Sequence, residues 1–544
     1  MTSPAEPLKP HAGRRLPRAL AASEAPEHFN FASDVFDAWA ARQPEALALW
    51  CVAVPSGAEH KLTFRELAAL SRRAAGFFAG LGVQPGDHVL VMLPRVPAWW
   101  IATLGLIRLG AVPVPATLLL TPREVAYRLE AGQIRAVVTN AQGVPKIEGF
   151  AGPRCVVGEG PEHWPEFEAG LASSPEHPGF RTRADAPGML FFTSATTGDP
   201  KMVLHTQASY GLAHQATNAL WLDCRPGEVH WNISDPGWAK AAWSSLFGPW
   251  HGGACVFALD TPGRFDPGLT LDVLERFPIA TWCAPPTALR LMVRHELRHR
   301  RFGALRHCVT AGEPLNPEVF RLWKEATGLA LHEAYGQTET IVLAGNFAPL
   351  GHTIRPGSIG RPTPGLDLRL LDESLRETPP GVEGEIALRL APERPLGLFH
   401  GYWNHPAETA RQFHDGFYLT GDRAIRDPEG YLWFVGRKDD VIKSSGYRIG
   451  PFEIESALLE HTAVLDVAVV GKPDEVRGQI VKAFVILRAG HAASPELERE
   501  LHQHCRNTIA PFKCPREIEF VEELPKTTSG KTRRVALRAR ENGR

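Results

Sequence analysis

Residues 88–114 read HVLVMLPRVPAWWIATLGLIRLGAVPV, and this stretch decides the architecture. His88–Leu93 is a short apolar run rich in β-formers, bounded by Pro94, and it predicts a buried strand. Pro97–Leu109 has the length and composition of a helix, and Ala111–Val114 returns as a second strand. Just upstream, Thr63-Phe64-Arg65-Glu66 is a capping box, followed by Leu67, Leu70, Ala74, Phe77 and Leu81 at helical spacing. Downstream, Thr121-Pro122-Arg123-Glu124 is a second capping box with proline at the first helical position, and Ala136–Thr139 is a further strand. Strands alternating with helices imply a largely parallel sheet covered by helices, an α/β architecture.

This texture persists past residue 400 and then changes. Residues 417–436 (FYLTGDRAIRDPEGYLWFVG) read as a hairpin turning at Pro428-Glu429-Gly430. After the charged break Arg437-Lys438-Asp439-Asp440 come a helix (Pro451–Leu459), two strands (Val464–Val470 and Ile480–Leu487), a helix (Pro495–Thr508) and a strand (Glu517–Val521). With 544 residues the chain exceeds one hydrophobic core, which stops growing at roughly 250–300 residues. The expected organisation is a tail over 1–28, a large domain over 29–438 and a small α+β domain over 439–544. The tail carries Arg14, Arg15 and Arg18 but no apolar segment, so it is no secretory signal; Glu6 and the prolines disfavour the alternative of an organelle transit peptide, and a disordered tail is expected.

The 59 basic and 60 acidic side chains leave a net charge of −1, which gives no global attraction to nucleic acid or to an anionic membrane. No apolar run reaches the ~18 residues of a membrane-spanning helix. The eight cysteines are scattered singly, without a CxxC pair, as expected for reduced, buried thiols in a cytoplasmic protein.

Three stretches carry chemistry. Thr193–Lys201 (TSATTGDPK) follows the strand-like Met189–Phe192; its small residues let backbone N–H groups approach an anion, and Lys201 adds charge. By composition alone it is equally an ordinary polar loop. Glu333–Thr340 (EAYGQTET) combines an aromatic face, amide and hydroxyl groups and a carboxylate, which suits a flat base, a phosphate oxygen and a hard cation, or simply a packed loop. Thr527–Thr532 (TTSGKT) looks like the end of a Walker loop, but Pro525 stands where the first glycine is required, so a P-loop is disfavoured.

TSATTGDPK resembles the YTSGTTGxPK signature of the adenylate-forming superfamily, which includes acyl-CoA synthetases, luciferases and peptide-synthetase adenylation domains. Thr310–Pro314 (TAGEP), EAYGQTET, Tyr418–Arg423 (YLTGDR), Gly436–Asp440 (GRKDD), Ser444–Ile449 (SSGYRI) and Pro525–Lys531 (PKTTSGK) follow in the superfamily's order. The SDPGW stretch (Ser234–Trp238) and SSGYRIGPFEIE (Ser444–Glu455) are similar to the medium-chain acyl-CoA synthetase branch.

The resemblance implies a set of roles. Thr193, Ser194, Ala195, Thr196, Thr197, Gly198 and Lys201 would wrap the β- and γ-phosphates of ATP. Gly312, Glu313 and Pro314 would line adenine and ribose, together with Glu333, Ala334, Tyr335, Gly336 and Gln337, Tyr335 stacking on the base. Thr338 would touch the α-phosphate and Glu339 would hold Mg²⁺. Asp422 would accept from both ribose hydroxyls, Arg437 would bond ribose or phosphate, and Arg448 would reach the phosphates. Lys531 would bridge the substrate carboxylate and the α-phosphate. Ser445, Gly446 and Tyr447 would meet coenzyme A, with Asp439 as the hinge about which the small domain swings. Trp221, Trp238 and Lys240 are candidates for the acid pocket. The chain departs from the signature at Ala195, where relatives carry glycine and close ligand approach is easier.

The implied activity is an acid–CoA ligase: ATP activates a carboxylic acid as acyl-AMP, releasing pyrophosphate, and coenzyme A then takes the acyl group. Bulky indoles favour a short- or medium-chain, branched or aromatic acid. The competing readings are an adenylation enzyme that loads a carrier-protein thiol, and a nucleotide-binding regulator without catalysis.

Overall fold

The computed structural model describes residues 21–193, 200–263, 265–295, 297–527 and 531–542. The strand His88–Met92 lies between Val112–Pro115 and Ile134–Asn140, with Arg154–Val157 beyond, and all four run parallel. The helix Pro97–Leu109 crosses between the first two, buried on nearly every side, and ends at Gly110 with φ of +75°. Both capping boxes form. Thr63 N donates to Glu66 at 2.8 Å and Thr121 N to Glu124 at 2.8 Å, while the threonine hydroxyls accept from the glutamate N–H groups. Each cap is worth roughly 0.5–2 kcal/mol.

A nine-stranded sheet forms the second layer of the large domain. Its six central strands run parallel: Leu47–Ala53, Cys255–Asp260, Val229–Asn232, Ile279–Cys283, His307–Ala311 and Leu331–Gly336. Antiparallel edges close it: Glu59–Thr63 at one side, Val342–Gly345 and Arg361–Pro362 at the other. The strands Pro187–Phe192 and Met202–Thr206 pair antiparallel, so the stretch 193–201 connects the arms of a hairpin. A third, antiparallel sheet contains Glu383–Arg389, Phe417–Arg426 and Leu432–Arg437. Its last two strands are the hairpin read from the sequence, and they set Asp422 directly opposite Arg437.

Beyond Asp440 the chain builds a separate core. The long hairpin Val464–Asp474/Gly478–Leu487 and the strand Glu517–Phe520 carry the helices Pro451–Leu459 and Pro495–Thr508 on one face. Leu537 of the helix Arg534–Glu541 packs on the other, against Val470 and Phe484.

The start of the chain differs from expectation. Residues 21–28, assigned to the tail, are tied to the large domain: Ala22 N donates to Arg394 O at 2.8 Å, and His28 bridges to Arg183. The partners lie far along the sequence, so local composition carries no sign of them. No helix among the described residues is long and apolar enough to cross a membrane. The eight cysteines are all buried and unpaired.

Candidate active site

The site is assembled where the strand Leu331–Gly336 leaves the large sheet and meets the Asp422 hairpin. Asp422 is buried, 7% exposed, and its Oδ2 accepts from Tyr335 Oη at 2.7 Å and from Gln337 Nε2 at 2.6 Å. Gln337 Nε2 also donates to Thr420 O, and its Oε1 accepts from Tyr418 Oη. Carbonyl and carboxylate oxygens can only accept, so these contacts fix the amide's orientation. Burial raises the Asp422 carboxyl above its ordinary range, while Arg437, the Tyr335 and Gln337 bonds and Lys531 pull it back. Burial opposes the charge of Arg437, but the carboxylates of Asp422, Asp440, Asp439 and Glu339 outweigh it and hold the guanidinium firmly ionised. Asp422 Oδ2 is thus engaged by two protein donors.

Glu339 lies on the next turn. Its Oε1 accepts from Tyr402 Oη at 2.8 Å. Burial raises its carboxyl, opposed by the Tyr402 bond and by the charges of Lys201 and Arg437. Lys201 sits 4.9 Å from the centre of the Tyr402 ring and bonds Glu408 at 2.6 Å. Tyr402 therefore joins Lys201 to the carboxylate of the EAYGQTET turn. Thr338 is held from behind: its carbonyl accepts from His205 Nε2 at 2.8 Å, while His205 Nδ1 lies 3.2 Å from Ser209 Oγ. A carbonyl can only accept, so the proton sits on Nε2, and burial keeps this imidazole neutral by lowering its pKa to about 3.

Gly312 has φ of +100°, a conformation that favours glycine. Glu313 accepts from Thr287 Oγ1 at 2.7 Å. Gly336 is required by packing, because a Cβ would strike Ile341 O and the Trp243 ring, both at 2.6 Å. Glu333 differs from the ligand role assigned to it: it is 3% exposed and its Oε1 accepts from Leu315 N at 2.9 Å. It braces the Gly312–Pro314 loop from inside, and burial pushes its carboxyl up to about 8. Ala334 is likewise buried beside it.

Lys531 enters from the small domain. Thr527 N donates to Lys531 O at 2.7 Å and Lys531 N to Thr527 Oγ1 at 3.1 Å, next to the antiparallel bridge of Lys526 to Thr532. The positive charge of Lys531 pulls the Asp422 carboxyl down and opposes the charge of Lys240. Lys240 Nζ donates to Ala311 O at 2.9 Å, one residue before Gly312.

Two expectations part from this arrangement. Arg448 does not join the cleft: its guanidinium pairs with Glu373 on the large domain. The neighbouring Ser445-Gly446-Tyr447 turn has φ of +48° and +83° at its first two residues, and Tyr447 stacks on Phe512 at 4.4 Å, half exposed. Trp221 is core rather than pocket: it is fully buried, its Nε1 donates to His332 O at 2.9 Å, and its carbonyl meets His307 Nε2 at 2.7 Å. Trp238 is partly exposed and follows Gly237, where a Cβ would run into the backbone of Ala116 and Thr117. Asp439 is exposed, and Asp440 beside it pairs with Arg538. Ser194, Ala195, Thr196, Thr197 and Gly198 lie outside the described residues; Thr193 N donates to Lys201 O at 2.9 Å across the mouth of their loop.

Tyr402, Glu408, His205 and Tyr418 were not among the sequence candidates. Tyr402 is brought in by the pairing of Gly401–Tyr402 with Met202–Thr206, a long-range contact without a local signature, while Tyr418 heads the YLTGDR motif on the Asp422 hairpin.

A buried carboxylate held by Tyr335 and Gln337, with Arg437 opposite it and Glu339 joined through Tyr402 to Lys201, is the arrangement in which the signature motifs of an adenylate-forming enzyme come together. Residues 36–403 match the family described as AMP-binding enzyme, and residues 453–531 match the AMP-binding enzyme C-terminal domain. The chain is 44% identical to the mitochondrial acyl-coenzyme A synthetase ACSM3 of Mus musculus, over 95% of this chain and 91% of the relative. It is 45% identical to the mitochondrial acyl-coenzyme A synthetase ACSM5 of Mus musculus, over 97% and 93%. The crystal structure of the anthranilate CoA ligase AuaEII in complex with anthranoyl-AMP superposes with a TM-score of 0.88 at 29% identity, covering 96% of this chain and 99% of that one. The chain belongs to the AMP-binding enzyme family and, within it, to the acyl-CoA synthetases. The cytoplasmic expectation is overturned, because both of these relatives are mitochondrial proteins. Free, buried thiols had been its only support, and they do not distinguish compartments.

Proposed function

We propose that this enzyme is an ATP-dependent, AMP-forming acid–CoA ligase whose adenylation step is driven by Lys531, with a short- or medium-chain, branched or aromatic acid as substrate. The observation that carries the reading is the buried Asp422 carboxylate held by Tyr335 and Gln337, opposite Arg437, in a chain of the AMP-binding enzyme family. Asp422 Oδ1 accepts from the ribose, and Tyr335 and Gln337 keep its carboxylate in place. An oxygen of the acid attacks the α-phosphorus, the bond to the β-phosphate oxygen breaks, and pyrophosphate leaves. Two anions approach each other in this step, so fixed positive charge has to be waiting where negative charge accumulates. Lys531 and Lys201 supply it from opposite domains, and Arg437 holds the nucleotide side. Lys201 exchanges its Glu408 partner for phosphate.

Glu339 fits a magnesium ion: it offers one carboxylate, and such ions take one or two carboxylates together with phosphate oxygens. When bound, the ion would add charge neutralisation at the triphosphate. Among the described residues no group of three or more metal-ligating side chains exists, so phosphate and water oxygens would complete the shell.

In the second step the thiol sulfur of coenzyme A attacks the acyl carbonyl, the mixed anhydride C–O bond breaks, AMP leaves and the thiol proton is lost. With Tyr447 against Phe512 and Arg448 on Glu373, the Ser445–Tyr447 turn stands outside the cleft. We assign the large domain to residues 29–438 and the mobile domain to 439–544, turning about Asp439 so that Lys531 withdraws and the turn enters. Trp238 and Lys240 border the acid, while Trp221 acts only through packing. The likeness to an anthranilate CoA ligase supports an aromatic acid among the candidates.

A panel of short, medium, branched and aromatic acids, assayed for AMP release that needs both ATP and coenzyme A, tests this proposal. Release with at least one such acid is expected. Acyl transfer only to a carrier-protein thiol, or no acid-dependent AMP release, would overturn it.

A further inference from the structure

Asp466 stands at the boundary between the two domains, outside the cleft. It lies on the first strand of the small domain's long hairpin, Val464–Asp474. Its Oδ2 is 2.7 Å from Lys526 Nζ, and its Oδ1 is 3.6 Å from Arg290 Nη1 of the large domain. Lys526 opens the hairpin that presents Lys531, and it bridges to Thr532 at that hairpin's base. Arg290 leads the other way: its Nη2 donates to Thr287 Oγ1 at 3.2 Å, and Thr287 donates to Glu313 of the nucleotide loop at 2.7 Å. A line of polar contacts thus runs from the loop expected to line adenine to the hairpin bearing the lysine.

The surroundings of Asp466 are cationic. Besides Arg290 and Lys526, Arg294 of the large domain donates to Leu465 O at 3.0 Å, and Arg488 donates to Val464 O at 2.9 Å. Like charges from both domains therefore face each other; Asp466 is the small domain's acid among them, its side chain 21% exposed, while Glu313 lies 3.9 Å from Arg290 on the large domain's side. Removing its charge would leave cations of the two domains opposed, which favours their separation.

We propose that Asp466 is a positioning residue: it latches the small domain onto Arg290 and, through Lys526, seats Lys531 for adenylation. It does not touch the reacting atoms. The latch belongs to one domain arrangement, so it biases the enzyme toward the first half-reaction and must open for the second. This inference rests on the proposed role of Lys531.

The two half-reactions separate it from a merely structural role. Acid-dependent exchange of labelled pyrophosphate into ATP reports the first, and thioester formation from preformed acyl-adenylate and coenzyme A reports the second. In Asp466→Asn, exchange is expected to fall by about fivefold, the scale of a partly exposed charged pair, while transfer from the adenylate holds or rises. Arg290→Gln, on the other side of the boundary, should act in the same direction, and the double variant should lose less than the product of the two single losses. If Asp466→Asn folds poorly, Arg290→Gln carries the test alone. Exchange within about twofold of the parent in both variants, or equal loss in both half-reactions, overturns the latch. Lys531→Ala is run alongside: if it keeps full exchange, the proposed role of Lys531 fails. If it loses exchange and the boundary variants do not, only the latch fails.

Discussion

Replacing Tyr402 by phenylalanine removes a single oxygen from the centre of the site. The ring stays against Phe399, whose centroid is 5.0 Å away, and stays beneath Lys201. What disappears is the donor to Glu339 Oε1, at 2.8 Å. A hydrogen bond to a charged group contributes about 1.5–3 kcal/mol, and each 1.36 kcal/mol is tenfold in rate, so adenylation should slow by about 10- to 150-fold. The sign of the pH effect follows from the same contact. Burial raises the Glu339 carboxyl and the Tyr402 bond opposes that rise, so the variant's carboxyl protonates at higher pH. The ionised form is the one that can hold a cation; the acid limb of pyrophosphate exchange should therefore move to higher pH. Exchange measured across the pH range at saturating ATP reads both effects. Unchanged exchange, or an acid limb moved to lower pH, would refute the pairing of Tyr402 with Glu339 as a working contact.

Further outcomes follow from the same structure. Glu333 has its pKa raised from 4.5 to about 8 by burial, so its stabilising neutral form is fully effective below pH 4.5 and is lost as pH rises through about 8. Glu333→Gln keeps an acceptor for Leu315 N without the ionisation, so its melting temperature relative to the parent should climb between about pH 4.5 and 8 and level off above; a constant difference would contradict the buried-acid assignment. Asp439→Pro fixes φ at the hinge, and it should spare pyrophosphate release while blocking thioester formation; full thioester activity would remove the hinge. At the domain boundary, the Asp466 and Arg290 variants should depress exchange without depressing transfer from the adenylate.

Much of this was legible where the chemistry is local. The strand at His88, the helix at Pro97 and both capping boxes declare themselves through short-range patterns, and each is present with its expected contacts. The hairpin of residues 417–436 was equally readable, but the register that sets Asp422 opposite Arg437 emerges only from the strand pairing. Residues whose roles depend on distant partners were not. Glu333 sits in a motif that reads as ligand-facing, yet alternation along its strand turns the side chain inward to Leu315. Trp221 looked like a tunnel wall, but an indole N–H bonded to His332 O is a core contact made across 111 positions. Tyr402 carries no motif; it matters because its strand pairs with Met202–Thr206, some 200 residues earlier in the chain.

The measurement that bears most directly on the whole account compares the two half-reactions in Lys531→Ala. Loss of one preorganised charge at the reacting oxygens costs about 2.7–4 kcal/mol, so acid-dependent pyrophosphate exchange should drop by about 10²–10³. Transfer from preformed acyl-adenylate to coenzyme A should fall far less. Exchange that survives the substitution, or equal collapse of both steps, would contradict the assignment of adenylation to this lysine.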